Sequence, residues 1–143
     1  MRVVIDTNTM IGHVLWEDSV PNQAVEFAFR NGTVLRSRNS YVALEQMILS
    51  ERFDKYLDRP TREKFLALFK EISTHIEIVE RHPFIEDASK NILLELAQNG
   101  KAQFLITSQK DLLMLNGNLN NTHILTPSDF LNLPKNQSTN QNG

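Results

Sequence analysis

The sequence predicts an α/β protein, a three-layer α/β/α sandwich with a mostly parallel central sheet. Short apolar runs rich in β-branched residues alternate along the chain with longer segments of helical periodicity. Most of these runs are continuous, which is typical of strands buried on both faces of a parallel sheet. The length of 143 residues suits one domain, predicted over 1–133. The polar stretch 134–143 is expected to be a disordered tail.

Five strands and four helices are predicted. The strands cover residues 3–5, 33–35, 76–79, 104–107 and 123–126. The first helix begins near Pro21 and ends at Asn31-Gly32, and the last ends at Asn99-Gly100. Between them, helices are predicted over 40–51 and 61–73, with Ser40 and Thr61 as their N-caps.

Composition excludes several classes of protein. The chain has no cysteine, so disulfides, thiol catalysis and thiolate metal sites are excluded. Its formal net charge of −2 means that any nucleic acid must be held by a local patch. The short apolar runs and an aspartate at position 6 predict neither a membrane span nor a signal peptide, so a cytoplasmic location is expected.

A polar cluster follows the first predicted strand. Asp6, Thr7 and Asn8 come directly after the β-branched run. Ligands bind beyond the carboxyl ends of strands in open parallel sheets, so these residues are candidates for a binding site. The alternative is that Asp6 and Thr7 only cap the next helix. Arg36 and Arg38 follow the second strand and are candidates for substrate contacts near Asp6.

Two further segments carry candidate acids. Glu45 has apolar residues three and four positions away on either side, so its charge must be paired or bound to a cation. A structural salt bridge is the alternative. Asp111 lies just after the fourth strand, where Ser108 and Asp111 also match a helix capping box.

At this point the ordered set of residues resembles the PIN domain family. Residues 2–8 resemble its opening strand, 44–56 its acidic helix, and 97–113 with 124–131 the end of bacterial members described as toxin components of toxin–antitoxin pairs. The resemblance implies a metal-dependent ribonuclease that holds Mg²⁺ or Mn²⁺ at one end of the sheet. It implies Asp6 and Glu45 as metal ligands, and Asp6, Glu45 and Asp111 as catalytic acids. RNA, an antitoxin protein and a second copy in a homodimer are the implied partners.

Three positions depart from the family pattern. Lys90 stands where members carry the aspartate of an Asp-Asn pair, Gln103 where they carry an aspartate before the fourth strand, and Gln109 where they carry one after it. Replacing a carboxylate by an ammonium group beside a divalent ion weakens the binding of that ion by several kcal/mol, even after screening. At 4 Å each charge pair contributes roughly 1 kcal/mol in water and about 4 kcal/mol at an effective dielectric constant near 20. We therefore predict weak metal binding and impaired catalysis.

The departures also predict a different use of the site. Lys90 and Gln109, with Thr7 and Asn8, are expected to contact substrate, and Lys90 is expected to neutralise Asp6 and Glu45 in one shared pocket. Alternatively, Lys90 pairs with an acid one turn away. Two other functions stay open, namely an active Mg²⁺- or Mn²⁺-dependent single-strand ribonuclease using Asp6 and Glu45, and a non-catalytic module that binds RNA or protein.

Overall fold

A computed structural model describes residues 1–134, and of the predicted tail 134–143 all but Pro134 lies outside the described residues. The centre of the fold is a five-stranded sheet in the order β3-β2-β1-β4-β5, with every neighbouring pair parallel. The predicted fold class is confirmed. The strands are β1 (Arg2–Ile5), β2 (Thr33–Arg36), β3 (Thr74–His75), β4 (Phe104–Ile106) and β5 (His123–Leu125).

Helices cover both faces of this sheet. In chain order they are α1 (Thr7–Leu15), α2 (Val20–Asn31), α3 (Arg38–Ile48), α4 (Arg59–Ile72), α5 (Ala88–Asn99), α6 (Lys110–Leu113) and α7 (Pro127–Leu131), with a 3₁₀ turn at Glu51–Phe53. Within residues 1–134, none of the helices is both long and apolar enough to cross a membrane.

The alternation of side chains along each strand divides the interior into two cores. Val3 and Ile5 pack with helices α1–α4 and α7 in one core, whereas Val4 packs with α5 and α6 in the other. Phe104 and Ile106 share the first core and Leu105 the second, so β4 repeats the pattern of β1. Both faces of the central strands are apolar, which explains their continuous hydrophobic sequence.

Three predicted boundaries need correction. The strand predicted over 76–79 lies instead at Thr74–His75. The backbone N–H groups of Val79 and Glu80 donate to the Asn99 side chain and not to a neighbouring strand. Helix α3 begins at Arg38, because Ser37 is its N-cap. In this capping box the side chains of Ser37 and Ser40 each accept a hydrogen bond from the other residue's backbone N–H. Helix α4 likewise begins at Arg59, because Asp58 is the cap and its carboxylate accepts from the Thr61 backbone.

A buried arginine joins α4 to the carboxyl end of α3. The side chain of Arg62 has no exposed surface. Its guanidinium donates to the carbonyl oxygens of Ile48, Ser50 and Leu57 and forms an ion pair with Asp54. The last carbonyls of a helix have no partner within the helix, so Arg62 satisfies the carbonyl of Ile48, which would otherwise be buried and unpaired.

Candidate functional site

The main cleft lies where the order of strands reverses. Strands β2 and β3 lie on one side of β1 in the sheet, and β4 and β5, which follow later in the chain, lie on its other side. The crevice outside the carboxyl ends of β1 and β4 is therefore the place where an open parallel sheet binds ligands. A cleft of about 520 Å³ is present here, and its walls come from α1, α3, the 3₁₀ turn, α5 and α6 with the residue before it. It is lined by Asp6, Thr7, Asn8, Ala43, Gln46, Met47, Ser50, Arg52, Ser89, Lys90, Leu93, Gln109 and Leu112.

Asp6 is fixed at the base of this cleft by neighbours on both sides. Its Oδ1 accepts a hydrogen bond from the Thr9 backbone at 2.8 Å, as the N-cap of α1. Its Oδ2 accepts from the hydroxyl of Thr107, which follows β4, at 2.6 Å. The same Thr107 oxygen accepts from the Gln109 backbone at 3.0 Å. Asp6 therefore caps α1 and also lines the cleft, and its role in binding stays a prediction.

Lys90 is paired with an acid from a different helix. Its Nζ lies 2.6 Å from Oδ2 of Asp111 on α6 and 4.0 Å from Oδ2 of Asp87, the N-cap of α5. The predicted pairing of Lys90 with Asp6 and Glu45 is therefore replaced by a pairing with Asp111. The alternative prediction, that Lys90 pairs with an acid one turn away, is met in part, because Asp87 is the second acid near the Lys90 ammonium group. The Ser108–Asp111 capping box is absent, because Gln109 precedes α6 and no side chain caps that helix.

The ion pair shifts the pKa values of both of its side chains, Lys90 and Asp111. The hydrogen bond from Lys90 lowers the pKa of Asp111, and the same bond raises the pKa of Lys90. Hydrogen bonds from Ser89, first its side chain, lower the pKa of Asp87. A carboxyl whose pKa falls on folding stabilises the fold above its ordinary pKa and loses this contribution as pH falls through the lowered value. The Lys90 contribution is lost only as pH rises through the raised pKa.

We expect the Lys90–Asp111 coupling to disappear in acid. A double-mutant cycle of Lys90→Met and Asp111→Asn, followed by urea unfolding, should show favourable coupling at pH 7 that shrinks progressively below about pH 4, the ordinary range of an aspartate. The exposed pair Arg59–Glu63, at 3.6 Å, is the matched control and should show coupling of no more than about 0.5 kcal/mol. Equal Lys90–Asp111 coupling at pH 7 and pH 3 would contradict this assignment.

The structure brings some predicted residues to the cleft and leaves others outside. Thr7, Asn8, Lys90 and Gln109 line it together with Asp6. Asp111 is connected to it through Lys90. The prediction that Glu45 shares this pocket is not met, because the residues of α3 that line the cleft are Ala43, Gln46 and Met47.

The remaining three predicted residues lie away from the cleft. Glu45 lies one turn from Tyr41 on α3, and burial together with the negative charge of Glu45 raises the pKa of Tyr41, whereas the charge of Arg36 opposes this. The Arg36 guanidinium donates to the carbonyl and the hydroxyl oxygen of Ser73, which precedes β3. Arg38 is exposed at the start of α3. None of the three is among the residues that line the cleft.

Several cleft residues were not predicted as site residues. Gln46 and Met47 neighbour Glu45 in sequence, and only the packing of α3 determines which of these side chains lines the cleft. Arg52 belongs to a charged stretch that reads equally well as a solvated surface. Ser50 and Ser89 carry no sequence pattern that distinguishes them from surface serines.

The residues of the cleft do not fit a divalent-metal centre of the carboxylate type. Among the described residues that line it, Asp6 has the only carboxylate, and Lys90 places an ammonium group in the same wall. The Asp111 carboxylate is held by Lys90. Within residues 1–134, no three Asp, Glu, His or Cys side chains group closely enough to hold a metal ion. Two ions 3.5–4 Å apart need a shared cluster of such ligands, which is lacking among the described residues.

The fold is that of an α/β protein with a parallel sheet and a cleft at the point where the strand order reverses. The sequence profile of the PIN domain matches residues 2–111, well over half of the chain. The chain therefore belongs to the PIN domain family.

Two known proteins are similar over most of the length. The uncharacterized protein MJ1680 of Methanocaldococcus jannaschii is 28% identical over 140 residues, which cover 92% of this chain and 90% of that protein. One chain in the crystal structure of VapBC2 from Rickettsia felis, bound to a DNA fragment from its promoter, superposes with a TM-score of 0.61 at 14% identity. That superposition covers 88% of this chain and 98% of the other, and it shows a shared fold.

Proposed function

We propose that this protein is the toxin component of a toxin–antitoxin pair, of the metal-dependent endoribonuclease type, and that its catalysis is impaired. Membership of the PIN domain family and the fold shared with a chain of a VapBC2 complex support the toxin assignment. In this proposal the cleft binds single-stranded RNA, and the loss of carboxylates slows its cleavage.

The observation that carries the proposal is the Lys90–Asp111 ion pair at the cleft. The ammonium group would repel a divalent ion, and its partner carboxylate is no longer free to bind one. At about 4 Å, each unit charge pair contributes roughly 1 kcal/mol in water and about 4 kcal/mol at an effective dielectric constant of 20. Exchanging a carboxylate for an ammonium therefore weakens metal binding by several kcal/mol.

An active ribonuclease is the second candidate, and the hydrogen bonding of Asp6 favours it. The Thr107 hydroxyl orients Oδ2 of Asp6, and such outer hydrogen bonds commonly orient metal-binding carboxylates. Mg²⁺ is often held by one or two carboxylates with waters and substrate phosphates. This candidate uses Asp6 and Glu45, of which Asp6 lines the cleft.

A groove between α2 and α4 is a candidate surface for binding a protein partner. It has a volume of about 360 Å³ and is lined by His13, Glu26, Phe29, Arg30, Phe65, Leu68, Phe69 and Ile72. Leu68 is 53% exposed and Ile72 is 49% exposed. We propose that the antitoxin covers this groove and the exposed side chains of Leu68 and Ile72. The homodimer stays a prediction.

The proposal predicts little metal-dependent cleavage by the wild-type protein. A mixed RNA pool incubated with Mn²⁺ should be cut no faster by wild type than by Asp6→Asn, with Glu71→Gln, an exposed acid outside the cleft, as the matched control. Millimolar Mg²⁺ should leave the melting temperature unchanged, whereas a ligand at 100 times its Kd would add about 2.7 kcal/mol of stability. Mn²⁺-dependent cleavage that Asp6→Asn abolishes would contradict impaired catalysis and favour the second candidate.

A further inference from the structure

The segment between α6 and β5 contains an Asn-Gly pair, Asn116-Gly117, whose surroundings differ from those of two other such pairs. The other two, Asn31-Gly32 and Asn99-Gly100, lie at the carboxyl ends of α2 and α5. Asparagine before glycine is chemically labile, because glycine has no side chain to keep its backbone nitrogen away from the asparagine carboxamide. The structure therefore determines which of the three pairs is free to react.

Two nitrogen atoms take part in this reaction, and both are held at the end of α2. The backbone nitrogen of the glycine attacks the carboxamide carbon, and the side-chain nitrogen of the asparagine leaves. The Gly32 N–H donates to the carbonyl of Ala28 at 2.9 Å, and Nδ2 of Asn31 donates to the carbonyl of Phe27 at 3.0 Å. Both hydrogen bonds must break before Asn31 reacts, which slows the reaction.

The pair at the end of α5 is held more firmly. The Gly100 N–H donates to the carbonyl of Leu96 at 2.9 Å. Nδ2 of Asn99 donates to the carbonyls of Glu80 and Glu95, each at 2.8 Å. Asn99 is therefore protected at the attacking nitrogen and at the leaving one.

Neither protection is present at Asn116-Gly117. Within residues 1–134, the Gly117 N–H and Nδ2 of Asn116 make no hydrogen bond to the protein. Both residues are exposed, and a Cβ atom at Gly117 would meet no atom beyond its chain neighbours within 4 Å. Oδ1 of Asn116 accepts from the Ile124 N–H at 2.8 Å, and a donor there stabilises the negative charge that this oxygen gains when the carbon is attacked.

We propose that Asn116 is a site of spontaneous deamidation through a cyclic imide formed with Gly117. The Gly117 nitrogen bonds to Cγ of Asn116, the bond between Cγ and Nδ2 breaks, and the proton of the Gly117 nitrogen leaves with the amide group as ammonia. Water then opens the ring at either carbonyl and gives aspartate or isoaspartate, with no change of oxidation state. The inference is independent of the proposed function, because the reaction needs only water.

The reaction changes a contact at the outer edge of the sheet. Strand β5 is the last strand of the sheet, and the carboxamide of Asn116, not another strand, accepts from its Ile124 N–H. Either product adds a negative charge at residue 116, and isoaspartate also lengthens the backbone by one carbon between α6 and β5. The modification therefore alters the contact that closes this strand edge.

The test follows deamidation of the full-length protein in mildly alkaline buffer by tryptic digestion and mass spectrometry, against a sample that is not incubated. Lysine or arginine separates the three pairs in sequence, so each falls in its own peptide. In the folded protein, Asn116 should deamidate at least about 10-fold faster than Asn31 and Asn99, because their hydrogen bonds must first break. In urea, where these bonds are lost, the three rates should become comparable.

A matched pair of variants checks the assignment within the peptide. Asn116→Gln should remove the fast conversion, because glutamine would have to close a larger ring, whereas Asn118→Gln changes an exposed neighbour and should keep it. Circular dichroism checks that both variants fold, and the wild-type comparison does not depend on them. Conversion of Asn116 no faster than that of Asn31 and Asn99 in the folded protein, an undiminished difference in urea, or fast conversion at another residue of the peptide would overturn the proposal.

Discussion

Replacing Gln46, Lys90 and Gln109 by carboxylates is expected to create a Mn²⁺-binding centre and Mn²⁺-dependent cleavage of RNA. The triple variant Gln46→Glu, Lys90→Asp, Gln109→Asp lowers the charge of the cleft wall by one unit at each glutamine and two at the lysine. It also frees the Asp111 carboxylate from its ion pair. The cleft would then hold several acids around Asp6, the arrangement that binds divalent ions against a phosphodiester and positions water for attack.

The expected gain is large because the charges act together. At roughly 1 kcal/mol or more per charge pair, the change should raise Mn²⁺ affinity by at least about 100-fold, which isothermal titration calorimetry would measure. The single variants should do much less, since residues that share one ion are not additive. Without metal, the triple variant should be less stable, because the carboxylates repel one another.

Two controls make this prediction specific. The surface triple Asn39→Asp, Lys64→Asp, Asn120→Asp changes the net charge equally at exposed residues outside the cleft, and it should gain neither Mn²⁺ binding nor cleavage. Adding Asp6→Asn to the cleft triple should abolish the new activity. A folded cleft triple that fails to bind Mn²⁺ would show that the backbone of this cleft, and not only its charge, differs from a nuclease site.

Arg62→Ala is expected to lower the free energy of unfolding by about 3 kcal/mol or more. The substitution removes the donor to the buried carbonyl oxygen of Ile48, and a buried unsatisfied group costs about 1–3 kcal/mol. The part-buried carbonyl of Leu57 also loses its donor, whereas that of Ser50 still accepts from the Phe53 backbone. It also empties a fully buried volume between α3 and α4. Urea unfolding at pH 7 measures the loss.

Arg62→Lys separates the hydrogen-bond geometry from the charge. A lysine keeps the charge opposite Asp54, but its three donors on one nitrogen cannot reach the carbonyls that the guanidinium fork serves, so an intermediate loss is expected. Arg59→Ala, whose side chain is 57% exposed in an i,i+4 pair with Glu63, should cost no more than about 0.5 kcal/mol. Similar losses in Arg62→Ala and Arg59→Ala would contradict the structural role of Arg62.

The strands of the sheet centre could be predicted because burial on both faces leaves a simple sequence pattern. Residues 3–5 and 104–106 are continuous apolar runs, and both form strands. The segment 76–79 instead alternates apolar and polar residues, which also predicts a strand, but the Asn99 side chain, 20 residues away, accepts a hydrogen bond from the backbone of Val79. Ser40 and Thr61 were predicted as N-caps, but their backbones donate to the actual caps, Ser37 and Asp58. Each helix start contains two polar residues three positions apart, and the local sequence does not show which of the two is the cap.

The site could be predicted where it depends on strand ends and not where it depends on helical phase. Asp6 and Gln109 follow adjacent strands β1 and β4, so topology alone brings them together. Glu45 and Gln46 differ by one residue, about 100° around a helix, and only the packing of α3 decides that Gln46 lines the cleft. The Lys90–Asp111 pair joins residues 21 positions apart on two helices, and no local pattern indicates it.

Electron paramagnetic resonance of Mn²⁺ in the presence of the wild-type protein tests most directly whether this PIN domain has lost its metal centre. Free hydrated Mn²⁺ gives a signal that diminishes when the ion binds to a protein. With wild type in excess over Mn²⁺, the signal should equal that of buffer, because Lys90 and the neutral glutamines leave Asp6 as the single carboxylate among the described residues of the cleft. A signal that wild type diminishes and Asp6→Asn restores would contradict this and place a divalent ion at Asp6.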